Sequence, residues 1–191
     1  MRETIQESIA RLPRFQRAPD RVTRRFRNLK HNADILPKLQ TQLETALNAY
    51  ERFETVVYDC QGINDSGSDI CVQIDPDRKD PHLICFQVKS FEDITKNAYL
   101  QELKAQRDDS FRKVRGLQHY FIILCTDVSK HRERIRSIMA EFRSAERTEV
   151  IEPAYAYTFL NLPNTRIEAL VTRLMEYEDY VFRQGGCPTF S

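Results

Sequence analysis

Two short runs with period-two alternation, SDICVQID over 68–75 and HLICFQVKS over 82–90, constrain this chain more than any other feature in it. Successive side chains of a β-strand point to opposite faces. In the first run Ile70, Val72 and Ile74 share one face, and Asp69, Cys71, Gln73 and Asp75 share the other. In the second, Ile84, Phe86 and Val88 oppose Leu83, Cys85, Gln87 and Lys89. The DPDRKDP stretch between them carries two prolines and reads as a loop. If the strands pair around Arg78 and Lys79, Asp69 falls opposite position 87 or 89. A carboxylate, an amide and an ammonium then converge on one patch. A lysine emerging from an apolar strand is unusual unless it is paired or functional. Asp69 follows the turn Asn64–Gly67 and opens its strand, where a ligand can reach it.

The surrounding pattern supplies the other layers. From Pro37 a helix is marked by Leu39, Leu43, Leu47, Tyr50 and Phe53 at helical spacing. TVVYDCQGI (55–63) reads as a strand ahead of the two above. The spacing predicts a long helix over about 93–115, ended by Gly116. HYFIILCT (119–126) has the continuous apolar character of a central strand. A helix capped by Ser129 follows, to about Phe142. TEVIEPAYAYTFL (148–160) reads as extended, broken by Pro153 into two short strands or a strand and a loop. Thr165 and Glu168 form a capping box that opens a last amphipathic helix, 165–184, closed by Gly185 and Gly186. The expected fold is α/β, a mixed central sheet with helices on both faces. Residues 1–36 read as a basic extension and 37–191 as the folded domain, with its core at about 38–160.

Composition narrows the function classes. The chain has 191 residues, 41% hydrophobic and 30% charged, as an ordinary globular domain does. No apolar run approaches the roughly 20 residues needed to span a bilayer, and the N-terminus lacks the apolar stretch of a secretory signal. The five cysteines are widely spaced with no Cys-x-x-Cys, which argues against structural zinc and a disulfide framework and for a reducing, cytoplasmic setting.

Charge is unevenly spread. Arg11, Arg14, Arg17, Arg21, Arg24, Arg25, Arg27 and Lys30 face a single acid, Asp20, over 11–30, while the whole chain carries only +1. A basic arm on an otherwise acidic body points to a polyanion such as nucleic acid. Arg14, Arg17, Arg21, Arg24, Arg25, Arg27 and Lys30 are the candidate contacts, with Phe15 and Phe26 interleaved. A solvated arm, or one bound to a protein partner, is the other reading.

Hydrolysis of a phosphodiester needs charge neutralisation, an activated water and a stabilised leaving group, and a hard cation with oxygen ligands can serve all three. GSDICVQI followed by LICFQVKS resembles the core of the PD-(D/E)xK nucleases, in particular the Mrr-type restriction nucleases with a Gln-x-Lys variant. The resemblance covers about residues 38–126 and implies a restriction endonuclease-like fold. It implies that Asp69 is the main metal ligand, that the Val88 backbone carbonyl is another, and that Lys89 orients the water and steadies developing charge. Gln87 stands at the second acidic position, so the site has one carboxylate fewer than a Glu-x-Lys site. Mrr-type relatives add a glutamate from the helix before the first strand, for which Glu44 is the closest match and Glu51 the runner-up. The implied cofactor is Mg²⁺ or Mn²⁺. The implied activity is DNA cleavage in bacterial restriction or antiphage defence, with a second copy or a partner protein supplying target recognition.

Duller readings stand beside these. Asp69 can be a turn residue, Gln87 an interior amide, Lys89 a strand-end lysine, and Glu44 a surface glutamate. A non-catalytic nuclease-fold subunit that binds nucleic acid or holds an assembly together is the alternative function. The four histidines are scattered and there is no phosphate-cradling glycine loop, so histidine-metal, triad and nucleotide chemistries find no support.

Overall fold

A computed structural model describes residues 12–49, 55–59, 67–74 and 82–183. Among these residues five strands lie in chain order in one mixed sheet: β1 (Thr55–Asp59), β2 (Ile70–Ile74), β3 (His82–Ser90), β4 (Leu117–Cys125) and β5 (Thr148–Ile151). The β1–β2 and β2–β3 pairs are antiparallel; the β3–β4 and β4–β5 pairs are parallel. Parallel neighbours need crossover connections, and helices supply both. Among the described residues six α-helices flank the sheet: α1 (Leu36–Asn48), α2 (Phe91–Thr95), α3 (Tyr99–Lys113), α4 (Val128–Phe142), α5 (Pro153–Leu160) and α6 (Asn164–Arg183).

Strand alternation divides the core into two layers. Ile70, Val72, Ile84, Phe86, Val88, Phe121, Ile123 and Ile151 pack with Leu39 and Leu43 of α1, Phe159 of α5 and Ile167 of α6. On the opposite face Cys71, Cys85, Tyr120, Ile122 and Leu124 pack with Ile94, Leu103, Ile135 and Phe142 from α2, α3 and α4. The chain is thus an α/β protein with helices on both faces of a mixed sheet, as expected of a restriction endonuclease-like architecture.

Several local expectations are corrected. The helix expected over 93–115 is two, because Lys96 takes an extended conformation (ψ 147°) after α2. The second of them ends at Lys113, where Val114 turns extended (ψ 98°), two residues ahead of Gly116 with its φ of +85°. The segment after Pro153 is helical: proline fits the first turn of α5, where its missing N–H has no partner to lose. Asp127 rather than Ser129 caps α4, accepting from the Ser129 N–H at 2.8 Å. The last helix opens at Asn164. Tyr50, Phe53, Asp75 and Gly185–Gly186 lie outside the described residues.

Two further departures bear on the site. The antiparallel register sets Cys71 directly opposite Cys85, Cα atoms 4.1 Å apart, and the two sulfurs are bonded. This cross-strand bridge, the one disulfide among the described residues, was not anticipated by a reading that expected no disulfide framework and a reducing setting. From Leu12 onward, where it is described, the basic N-terminal stretch is not a separate arm either. Its turns over Leu12–Arg14 and Asp20–Asn28 and a π-turn over His31–Ile35 pack onto the domain, burying Leu12, Phe26 and Ile35 in the α1 layer. No helix among the described residues is long and apolar enough to cross a membrane.

Candidate active site

Asp69 lies just ahead of β2, where the ladder has begun: its N–H donates to the Phe86 carbonyl at 2.9 Å. The turn before it is locked to α3 and the sheet. Gly67 takes φ +76°, and a Cβ there would lie 2.1 Å from the Gln106 carbonyl oxygen. Only glycine tolerates both the left-handed backbone and that approach. Tyr120 donates its hydroxyl to the Gly67 carbonyl at 2.7 Å, and the Ser68 and Ser110 hydroxyls meet at 2.8 Å. The GSD sequence is therefore a fixed corner that aims the Asp69 carboxylate across the β2–β3 pair.

The carboxylate meets β3 where sequence alternation put it. Its Oδ2 accepts from the Val88 N–H at 2.6 Å and from Gln87 Nε2 at 2.8 Å. Gln87 Nε2 also reaches the Val88 carbonyl at 3.3 Å. The amide nitrogen thus bridges two oxygens, one from Asp69 and one from the Val88 backbone. Lys89, on the same face two residues on, donates to Gln106 Oε1 of α3 at 2.6 Å. The Asp69, Gln87 and Lys89 side chains are all largely buried (7, 4 and 6% exposed), a more enclosed cluster than the sequence implied. Burial pushes the Lys89 ammonium below the usual lysine range, with Asp93 and Asp69 pulling the other way.

Two residues the sequence reading passed over complete the cluster. His31 reaches in from the N-terminal segment, its Nδ1 3.3 Å from Asp93 Oδ2 and its Nε2 3.3 Å from Asp69 Oδ1. The second contact is off the hydrogen-bond line, so Nε2 is buried with no aligned partner. Burial alone would lower the His31 pKa, but the two carboxylates outweigh it and raise it to about 9. Ser90 caps α2 and Asp93 is its capping-box partner: Asp93 Oδ2 accepts from the Ser90 N–H at 3.0 Å and the Ser90 hydroxyl at 2.7 Å. Burial raises the Asp93 pKa, but the His31 contact and then the two Ser90 bonds lower it, for a net fall well below the carboxylate range. A Ser-x-x-Asp capping pattern directly after Lys89 was the legible signal for Asp93. Nothing in the sequence places His31, thirty-eight residues before Asp69, beside it.

Glu44 is not brought into the cluster. It sits on the solvent side of α1, paired with Gln40 at 3.0 Å, while Leu43 beside it packs into the layer on the far face of the sheet from Gln87 and Lys89. Glu51 lies outside the described residues.

The basic residues divide by role. Arg27 binds the buried Asp127 carboxylate, and Arg14 reaches Glu149 at 2.6 Å and the Val150 carbonyl at 3.2 Å. Arg17 pairs with Asp20 and Arg25 donates to the Tyr157 hydroxyl. Arg21, Arg24 and Lys30 are exposed and carry the polyanion expectation forward.

A cation needs oxygen or imidazole donors with room to converge. Among the described residues no three His, Cys, Asp or Glu side chains group for a metal. The donors that do fit are the Asp69 carboxylate, the Val88 carbonyl and the Gln87 amide, whose nitrogen now stands between the two oxygens as a hydrogen-bonding proxy for positive charge. Rotating that amide would turn its own oxygen towards the same point.

The fold and this cluster define an α/β protein whose antiparallel β2–β3 pair holds a buried Asp, Gln, Lys and His group. No family model, no curated protein and no solved structure matches the chain.

Proposed function

We propose that the chain is a metal-dependent nuclease that hydrolyses DNA phosphodiesters, with Asp69, Gln87 and Lys89 as its site. The observation that carries this reading is the bridge from Gln87 Nε2 to Asp69 Oδ2 and the Val88 carbonyl, with Lys89 on the same strand face. Asp69, the Val88 carbonyl and the Gln87 amide would hold Mg²⁺ or Mn²⁺. The cation, when bound, would neutralise phosphate charge and lower the pKa of a coordinated water. Lys89 supplies a buried positive charge beside the phosphate, and Gln106 fixes the direction of its ammonium. Its lowered pKa brings the ammonium nearer to giving up a proton at working pH. The exposed cations Arg21, Arg24 and Lys30 lead to His31 at the cluster and would hold the DNA backbone. A cytoplasmic enzyme of restriction or antiphage defence, working as a homodimer or with a target-reading partner, completes the proposal.

A second reading, a non-catalytic nuclease-fold subunit that binds nucleic acid or an assembly partner, draws on one observation. Gln87 stands where a second carboxylate would strengthen cation binding. Plasmid DNA incubated with the protein in Mg²⁺ or Mn²⁺ should be cut, and EDTA should stop it. Retarded but intact plasmid in both metals would favour the binding subunit.

A further inference from the structure

We propose that His31, held in place by Asp93, is an additional side-chain ligand of the metal beside Asp69, and that it inclines the site towards Mn²⁺ over Mg²⁺. This rests on the nuclease reading of the Asp69 cluster and extends it to a residue outside the strand motif.

The geometry is that of an imidazole presented to a cation. Asp93 is fixed by two bonds from Ser90 and offers the same oxygen, Oδ2, to His31 Nδ1. Metal-binding histidines are commonly oriented this way, one ring nitrogen held by a carboxylate and the other turned to the ion. His31 Nε2 is that other nitrogen. It is buried, lacks an aligned hydrogen bond, and lies 3.3 Å from Asp69 Oδ1. Its one near neighbour is the Asp69 carboxylate, so a cation bound beside Asp69 would take the place of the proton that Nε2 holds towards it. Neighbouring ligands around an octahedral ion with bonds of about 2.1 Å stand roughly 3 Å apart, which matches this spacing.

His31 also resolves a deficit in the strand motif. Gln87 brings no charge and Glu44 faces solvent, so Asp69 is the sole carboxylate among the fitted donors. An imidazole adds a donor without needing a second acid. Mn²⁺ accepts an imidazole among oxygen donors, and later first-row metals prefer one, whereas Mg²⁺ keeps to oxygen. The rival role for His31 is a cationic pin that holds two carboxylates together and never meets a metal.

Pulsed electron paramagnetic resonance of the full chain with Mn²⁺ separates the two roles. Modulation from a directly bound imidazole nitrogen is expected in the unaltered protein and should vanish in His31→Gln. In calorimetric titrations His31→Gln should weaken Mn²⁺ by about tenfold or more, with a smaller loss for Mg²⁺, and Asp93→Asn should weaken Mn²⁺ in the same sense. Asp69→Asn should lose both metals. Mn²⁺ bound with no nitrogen modulation, or bound equally by His31→Gln, overturns the role of His31 and leaves the nuclease reading standing. An unaltered protein that binds neither metal, with or without DNA, overturns both.

Discussion

The candidate site depends on a residue with no chemistry of its own. Gly67 permits a left-handed turn and a near-contact with the α3 backbone, and this pins Asp69 two residues on. Gly67→Ala should therefore cost about 1–3 kcal/mol from backbone strain alone, and the clash with Gln106 should add to it. Urea unfolding should show a lower midpoint, and any DNA cleavage should fall along with it. The chemical residues call for gentler substitutions. Asp69→Ala would leave the buried Val88 N–H unbonded and confuse stability with activity. Asp69→Asn retains an acceptor for that N–H but removes the charge. It should abolish cleavage with a near-native unfolding midpoint, and a variant that cuts like the unaltered protein would remove Asp69 from the site. Lys89→Met keeps most of the buried stem and should lower the rate by roughly 10²–10³-fold, the usual loss for one electrostatic contact made in the transition state.

At the scale of elements, the basic segment has two jobs that its sequence blends into one. Arg27 closes over Asp127, the cap of α4, which is fully buried. Burial tends to raise the Asp127 pKa, but the Ser129 hydroxyl and N–H and the Arg27 guanidinium bring it below the usual value of 3.8. A depressed carboxylate pKa stabilises the fold above the unfolded value, and this is lost as pH falls through the folded one. Arg27→Ala removes one of the depressing partners. It should cost about 2 kcal/mol near neutral pH, and circular dichroism should place acid unfolding at a higher pH than for the unaltered chain. The exposed cations behave differently. Replacing Arg21, Arg24 and Lys30 together by Ala should leave the unfolding midpoint nearly unchanged. If each contacts one phosphate, the slope of log binding constant against log salt should become shallower by roughly 0.9 per contact. An unchanged slope on a DNA duplex would assign these cations to another partner.

For the molecule as a whole, the N-terminal segment belongs to the core. Phe26 is fully buried and meets the Tyr157 ring edge-on at 5.6 Å, and Leu12 and Ile35 enter the same layer. Phe26→Ala should cost about 3–5 kcal/mol in urea unfolding. Removing residues 1–30 should thus destabilise the whole domain, so that truncation cannot isolate the electrostatic role of the segment. The same docking carries His31 to Asp69, so damage to the Phe26 contact should also weaken Mn²⁺ binding.

The sequence by itself determined what depends on local periodicity. Alternation in 68–75 and 82–90 put Asp69, Gln87 and Lys89 on one face, and the antiparallel register then joined them, because a hairpin-like pair leaves little freedom in which residues meet. The apolar run of β4 and the leucine stripe of α1 were legible for the same reason. The break at Lys96, the helix after Pro153 and the cap at Asp127 were not, since each turns on a backbone choice that neighbouring packing settles. Only the tertiary structure could decide which distant groups share the site. It turned Glu44 outward, because α1 spends its inner face on Leu39 and Leu43 against the far side of the sheet. It drew His31 to Asp69 and Asp93, and Gln106 to Lys89, because burying Phe26 and Leu103 brings those segments against the strand ends. Contacts between residues far apart in the chain follow from how layers bury apolar surface, and that information is not carried in any single stretch of sequence.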